Sequence, residues 1–147
     1  MLLALLFSVQ AAASPSPAEQ AAIFKAAGFT RRGAEWKSGN CDGAESASYQ
    51  SGRLETYRDL NGDGRPDAVV NEGGAICYGN TGVHFWLLSK QANGTWKPVH
   101  EETAIPKFLT TKGVGGWPDI EMGMPGMCNP IWRFNGRAYA IRKRCPF

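Results

Sequence analysis

The chain has 147 residues, a formal net charge of +3, and a composition that includes 18 glycines, 9 prolines and 4 cysteines. This length indicates one domain, and no internal repeat is visible along it. The cysteines show no Cys-x-x-Cys spacing, which argues against a zinc site and against a redox motif.

The N-terminal segment has the pattern of an export signal. An apolar run, Leu2–Val9, is too short to span a bilayer and leads through Gln10–Ala13 into a Pro/Ser stretch. We expect a signal peptide over residues 1–13, cleaved after Ala13, although no Lys or Arg precedes the apolar run. The alternative is a buried N-terminal helix. We therefore expect residues 14–147 to form one domain in the periplasm or outside the cell. No membrane-spanning segment is expected, and no lipid anchor, since no cysteine stands near the cleavage point.

A short helix followed by strands is predicted after this segment. Ser16–Glu19 supplies an N-cap, a first-turn proline and an acidic residue, and Gly28 ends the helix after about Ala27. Turns at Gln91–Gly94 and Asn135–Gly136 predict two hairpins. The predicted strands are Leu54–Arg58, Asp67–Val70, Ala75–Tyr78, Val83–Ser89, Thr95–Glu101, Ile131–Phe134 and Ala138–Arg142. The expected fold is mainly β, a single-domain twisted antiparallel meander with one short N-terminal helix, braced by disulfides and a calcium loop.

The cysteines predict disulfides. An even set in an exported chain is expected to be oxidised, so we expect two bridges and no free thiol. Four cysteines allow three connectivities, and the sequence does not choose among them. The preferred arrangement pairs Cys77 with Cys128 and Cys41 with Cys145, which would tie the chain ends together and brace the middle. A bridge between Cys128 and Cys145 is the alternative, because both residues flank one predicted hairpin.

The run Asp59–Asp67 places oxygen-bearing side chains on alternate residues around two glycines. This spacing folds several hard oxygen ligands into one small shell, as Ca²⁺ requires. Position 12, where an EF-hand has glutamate, is Val70, and the chain entering Val70 is typical of a strand. The run therefore predicts a calcium loop that leads into a strand, and the alternative is a metal-free Asn-Gly/Asp-Gly turn. The predicted ligands are the side chains of Asp59, Asn61, Asp63 and Asp67 and the main-chain carbonyl of Arg65.

The segment Gly113–Cys128 combines many Gly and Pro residues with Trp117 and three methionines. Irregular backbone normally lies at the surface, and methionine-rich surfaces adapt to partners. Period-two alternation favours a different interpretation, in which Ile120, Met122 and Met124 form the inward face of a strand. Trp117 and the glycines before it are harder to assign to a core.

Every charged side chain from Ile131 to the C-terminus is basic. Such a cluster suits an anionic polymer or an acidic protein surface, and we expect no nucleic-acid partner for an exported protein. The alternative is a solvated strand edge that is kept charged to prevent pairing with other strands.

The catalytic inventory is small. His84 and His100 both lie in predicted strands among apolar or ordinary residues, and disulfides would leave no thiol nucleophile. No Gly-x-Ser-x-Gly elbow, His-Glu-x-x-His motif or phosphate loop is present. We therefore expect a protein that is not an enzyme.

Four segments resemble a known family. The run Asp59–Asp67 is similar to the calcium loop of FG-GAP/VCBS-type repeats, although one copy cannot make a propeller. Together, Asp59–Val70, Cys77–Gly82, Gly115–Ile120 and Arg133–Tyr139 resemble small exported bacterial proteins akin to periplasmic lysozyme inhibitors.

This resemblance implies an immunity protein that binds a lysozyme-like peptidoglycan hydrolase, with Ca²⁺ as a structural ion. The loop around Trp117 would act as the anchor, and basic groups would meet acids in the hydrolase cleft. The alternative is a non-catalytic carbohydrate- or cell-surface-binding module that stacks sugar rings on Trp117, Trp132 and Tyr139. The partner-binding candidates are Trp117, Asp119, Arg133 and Arg137.

Overall fold

A computed structural model describes residues 14–146, so the predicted signal peptide lies outside the described residues. The described chain is mainly β, with 45% strand, two short α-helices and three antiparallel sheets. No helix in this part of the chain is both long enough and apolar enough to cross a membrane.

The helices and strands follow one another with short connections. In chain order they are α1 (Pro17–Ala26), β1 (Thr30–Arg32), β2 (Glu35–Lys37), β3 (Gln50–Arg58), β4 (Asp67–Gly73), α2 (Ala75–Tyr78), β5 (Val83–Lys90), β6 (Trp96–Glu102), β7 (Ile105–Lys112), β8 (Pro118–Gly123), β9 (Ile131–Phe134) and β10 (Tyr139–Lys143). Single 3₁₀ turns occupy Gly79–Thr81 and Val114–Gly116.

The start of α1 is set by its cap. The Ser16 hydroxyl accepts a hydrogen bond from the Glu19 amide at 3.1 Å, and Pro17 occupies the first helical position. Both features satisfy or remove amide groups that have no partner inside the helix. The predicted helix is confirmed, with its end at Ala26.

The first sheet, in the order β3-β4-β5-β6, forms the middle layer. Its central strands β4 and β5 are buried on both faces. The apolar runs Ala68–Val70 of β4 and Phe85–Leu88 of β5 account for most of this burial. One face packs against α1 and the β1-β2 hairpin through a cluster that includes Ile23, Phe24, Val70, Trp86 and Leu88.

The second sheet, in the order β10-β9-β8-β7, packs against the other face. Val69, Phe85 and Leu87 from the first sheet meet Ile120 and Met122 from β8 in one core cluster. The domain thus has three layers: α1 with the β1-β2 hairpin, the first sheet in the middle, and the second sheet. The prediction that Ile120 and Met122 face inward from a strand is confirmed, whereas Met124, which was predicted on the same face, lies just past the end of β8 and is half-buried.

The connections between strands gather at two ends, because consecutive strands run antiparallel. One end contains the predicted calcium loop Asp59–Asp67, here called the metal loop. This metal-loop end comprises residues 59–66, 91–95, 113–117 and 135–138. The disulfide end comprises residues 74–82, 103–104, 124–130 and 144–146. Both predicted hairpins are confirmed, and their turns lie at the metal-loop end.

One predicted strand is wrong, since Ala75–Tyr78 is the helical turn α2. Gly74, with φ of 149°, reverses the chain there, and its carbonyl accepts a hydrogen bond from the Tyr78 amide at 2.9 Å. A four-residue apolar run does not by itself distinguish a strand from a helical turn. Three strands were also not predicted, namely β1, β2 and β7.

The prediction of two disulfides and no free thiol is confirmed, because all four cysteines lie in the described residues and are bridged. The preferred pairing is wrong, since Cys41 bridges to Cys77 and Cys128 bridges to Cys145, the stated alternative. The Cα atoms are 5.5 and 5.8 Å apart, which is within disulfide reach. The helical turn α2 is what carries Cys77 toward Cys41.

Candidate functional site

The predicted calcium loop is a compact turn between β3 and β4. The Asp59 carboxylate accepts hydrogen bonds from the amides of Gly62 at 2.7 Å and Gly64 at 2.8 Å. Both glycines have a φ near +80°, a conformation that side-chain-bearing residues rarely adopt. The Asn61 amide oxygen accepts from the Asp63 amide at 3.0 Å. The glycines therefore wrap the backbone around Asp59.

Asp67 closes this loop from inside the domain. Its side chain is fully buried, and its Oδ2 accepts the Leu60 amide at 2.9 Å, whereas its Oδ1 has no hydrogen-bond partner. Burial raises the pKa of Asp67, and the Leu60 amide opposes that shift. A buried carboxylate oxygen without a partner is costly, and an adjacent cation would remove that cost. This one oxygen is therefore a candidate ligand for a cation.

Asp63 is engaged by its neighbour Arg65. Its Oδ1 accepts the Arg65 amide at 2.8 Å, and its Oδ2 lies 2.7 Å from the Arg65 guanidinium. Each carboxylate oxygen has a second acceptor site, so amide hydrogen bonds do not exclude ligation. Among residues 14–146, no group of three or more His, Cys, Asp and Glu side chains has the geometry of a metal site. Calcium binding by this loop stays a prediction.

The metal loop contacts the Val114–Gly116 turn of the second sheet directly. A Cβ atom on Gly116, whose φ is +77°, would lie 2.2 Å from the Asn61 carbonyl oxygen. Leu60 and Trp117, the neighbours of these two residues, share the core between the sheets. The metal loop and this turn are thus packed backbone against backbone.

Trp117 is not an exposed anchor. Its side chain is only 7% exposed, and its ring packs against that of Phe134 with centroids 5.9 Å apart. The expectation that Trp117 projects toward a partner is corrected, because the ring closes the core beneath the glycine turn. The other two candidate stacking rings are also not free, since Tyr139 is buried and Trp132 is half-buried against the core.

Asp119 is a buried ion-pair centre on the opposite face of β8 from Ile120. It accepts two hydrogen bonds from Arg133, both at 2.8 Å, and one from the Thr111 hydroxyl at 2.6 Å. Arg142 lies 3.3 Å away. Hydrogen bonding from Arg133 lowers the pKa of Asp119 below its ordinary value. Asp119 therefore orients two arginines, and the Arg133 guanidinium is already committed to it.

A polar cleft of about 390 Å³ lies at the metal-loop end. Residues from both sheets line it, including Asp63 and Arg65 of the metal loop, Trp117, and Arg137 of the β9-β10 turn. Four of the residues singled out from the sequence therefore meet around one cavity. Arg133 and Asp119 do not line it.

The disulfide end exposes several large apolar side chains. Five large apolar side chains are exposed among the described residues, and three of them belong to this end or to the strand that leaves it: Ile76, Ile105 and Met127. Ile76 is 68% exposed next to Cys77, and Met127 is 62% exposed next to Cys128. The other two, Val114 and Ile141, lie at the metal-loop end and on β10.

The connection that carries Met127 is also ordered by its own hydrogen bonds. The Asn129 side chain accepts from the Met124 amide at 3.1 Å and donates to the Met124 carbonyl at 2.8 Å. The sequence placed Met127 in a surface segment but did not single out Ile76. Their positions beside bridged cysteines are the signal that could have identified both.

Glu72 forms a second buried polar cluster that the sequence did not reveal. Its carboxylate accepts hydrogen bonds from the hydroxyls of Tyr49 at 2.7 Å and Tyr78 at 2.5 Å, and from both the amide and the hydroxyl of Ser38. Burial raises the pKa of Tyr78 to about 12. Together with the Cys41–Cys77 bridge, these bonds fasten the long β2-β3 connection to the first sheet.

Comparison with known proteins gives no match: no family model, no curated protein and no solved structure is similar to this chain.

Proposed function

We propose that the protein is an exported inhibitor that binds a lysozyme-like peptidoglycan hydrolase and has no turnover of its own. The observation that carries this proposal is the disulfide end, where Ile76 and Met127 stand exposed on connections that bridged cysteines fix. Large exposed apolar side chains on pre-ordered loops are typical of protein-binding surfaces. The resemblance of four sequence segments to lysozyme-inhibitor-like proteins supports the same class.

The disulfide end also carries positive charge. Lys143 and Arg144 are exposed immediately before Cys145, which is bridged to Cys128 beside Met127. Glycoside hydrolases act through a pair of carboxylates in a cleft, so cations beside an apolar anchor complement such a site. Arg144 is therefore better placed than the ion-paired Arg133 to meet those acids.

The calcium loop has a structural part in this proposal. Ca²⁺ would be held by Asp59, Asn61, Asp63, Asp67 and the Arg65 carbonyl, at the end of the domain opposite the inhibitory surface. The ion supplies charge neutralisation for the carboxylates of the loop when it is bound. The side chains of the disulfide end then bind the hydrolase and exclude its substrate.

The test is the loss of turbidity of a cell-wall suspension by a panel of lysozyme-like enzymes, with and without the protein. We expect at least one enzyme to be inhibited stoichiometrically and to form a complex in size-exclusion chromatography. If a molar excess slows no enzyme and no complex forms, the inhibitor proposal is wrong and a cell-surface-binding module takes its place.

A matched pair of substitutions tests which end binds. Met127→Asp places a charge in the proposed apolar anchor and should weaken inhibition by more than about 2 kcal/mol, or roughly 30-fold. Val114→Asp makes the same change at a residue that is 56% exposed at the metal-loop end, and it should leave inhibition unchanged. Equal losses in the two variants, at equal melting temperatures, would remove the disulfide end from the proposal.

A further inference from the structure

The polar cleft at the metal-loop end is separate from the proposed inhibitory surface, and its lining is rich in cations. Three cationic side chains line it, Arg65, Lys97 and Arg137, and Asp63 is the one carboxylate among them. The cleft therefore carries an excess of two positive charges. A concave site walled by one sign of charge concentrates ligands of the opposite sign.

Two of these cations have no partner within the described residues. Arg65 is engaged by Asp63 and by the Lys90 carbonyl, which its Nε meets at 3.0 Å. The side chains of Lys97 and Arg137 make neither a hydrogen bond nor an ion pair with any residue of 14–146, and both are exposed. They come from different sheets, so the fold brings two uncommitted cations to one cavity.

The remaining lining adds hydrogen-bonding groups and an aromatic edge. Gln91 lines the cleft, and its side-chain amide group donates to the Ser89 carbonyl at 3.1 Å, which leaves the Gln91 side-chain oxygen as an acceptor. Ser89 also borders the cleft but is only 5% exposed. Phe134, which is half-buried, and Trp117, which is only 7% exposed, border the cleft. A bare inorganic anion would use only the cations, whereas a ligand with both a carboxylate and hydroxyls would also use the Gln91 side-chain oxygen.

We propose that this cleft binds an acidic sugar, held through its carboxylate by Lys97 and Arg137 and through a hydroxyl by the side-chain oxygen of Gln91. A volume of about 390 Å³ is in the range of small-molecule sites. The guanidinium of Arg137 matches a carboxylate in a two-point geometry, and Lys97 acts as a point charge. This site is independent of the proposed hydrolase interface, which lies at the other end.

The experiment is isothermal titration of the intact protein, at fixed calcium concentration and ionic strength, with glucuronate, glucose, acetate and inorganic phosphate. Glucuronate is expected to bind about tenfold or more tightly than glucose or acetate, since each of these lacks one half of the recognised chemistry. Arg137→Gln and Lys97→Gln should each weaken glucuronate binding about tenfold, the usual effect of losing one charge-assisted hydrogen bond.

Arg53→Gln is the matched control. It removes the same charge from an exposed side chain of β3 that does not line the cleft, and glucuronate binding should be unchanged. Absence of saturable glucuronate binding overturns the proposal, as does equal weakening by the control. Acetate or phosphate binding as tight as glucuronate would reduce the cleft to an anion site and overturn the sugar assignment.

Discussion

The two ends of this domain carry different chemistry. At the disulfide end, two covalent bridges fix connections that expose Ile76 and Met127. At the metal-loop end, the connections carry carboxylates, amides and cations, and no cysteine. Stabilisation by a disulfide does not depend on the ion concentration, whereas stabilisation by a cation bound among carboxylates does. The comparison implies that reductant should loosen one end and chelator the other.

The same contrast separates two modes of recognition. The disulfide end presents apolar side chains on fixed loops, which suits a protein surface. The metal-loop end presents a polar cavity with an excess of positive charge, which suits a small anion. The predictions below are ordered by expected effect, and each would sharpen or remove this distinction.

The largest effect is expected from removal of the Cys41–Cys77 bridge. It closes a loop with a sequence separation of 36, against 17 for Cys128–Cys145. The chain-entropy model assigns about 3–4 kcal/mol to loops of these sizes, with the larger value for the longer loop. Chemical denaturation of Cys41→Ser/Cys77→Ser and of Cys128→Ser/Cys145→Ser would measure both losses. A negligible loss for the first pair would mean that the Glu72 cluster alone holds the β2-β3 connection.

Calcium removal is expected to have the next largest effect. A ligand that binds only the folded state adds about 2.7 kcal/mol at a hundredfold excess over its Kd. Chelator should therefore lower the melting temperature of calcium-loaded protein, and Asp63→Ala should abolish the difference between chelator and calcium. Asp42→Ala, which removes a carboxylate from an exposed ion pair with Arg32, is the control and should retain that difference. Identical melting curves in calcium and in chelator, starting from metal-free wild-type protein, would show that the prediction of a stabilising calcium ion is wrong.

A single added carbon atom should disrupt the contact between the metal loop and the Val114–Gly116 turn. Gly116→Ala adds a Cβ that would lie 2.2 Å from the Asn61 carbonyl, whereas the Cβ of Gly115→Ala would find its nearest atom at 3.7 Å. Both glycines have positive φ, so both variants bear about 1–2 kcal/mol of backbone strain. Only Gly116→Ala should lose further stability and weaken calcium binding, as measured by denaturation and calcium titration. Equal behaviour of the two would show that the loops are not coupled.

A smaller effect is expected from pH. Burial lowers the pKa of His100 and of His84, with Glu101 and Glu102 opposing the shift. Because the unfolded state takes up protons first, stability is highest above the unfolded pKa of about 6.5 and falls as pH drops below it. The slope is at most about 1.4 kcal/mol per pH unit for each histidine.

His100→Phe is the variant that isolates this effect. The His100 ring packs against Phe85, Trp132 and Tyr139, so an aromatic replacement preserves the contacts without the titrating nitrogen. Denaturation between pH 7 and pH 5 should give a shallower loss for the variant than for the wild type. Parallel pH profiles would show that His100 titrates alike in the folded and unfolded states.

Local sequence signals predicted the elements whose geometry is local. The N-cap at Ser16 predicts α1, and Asn135–Gly136 predicts the β9-β10 hairpin, because both depend on a few adjacent residues. The glycines of the metal loop predict its turns for the same reason. These features need no knowledge of what packs against them.

The predictions that failed concern features that depend on residues far apart in the sequence. Disulfide pairing depends on which connections share an end, and spacing alone does not contain that information. The burial of Trp117 depends on a core built from both sheets, although its glycine-rich neighbourhood is typical of a surface loop. The commitment of Arg133 to Asp119 likewise requires β8 and β9 to be adjacent. Residues of the proposed binding surface were therefore harder to identify than the strands.

The most direct test of the proposed inhibitory surface is hydrogen–deuterium exchange of the protein with and without an inhibited hydrolase. Complex formation should protect residues 74–82 and 124–130 at the disulfide end and leave residues 59–67 and 113–117 unchanged. Protection confined to the metal-loop end, with free exchange around Ile76 and Met127, would contradict the assignment.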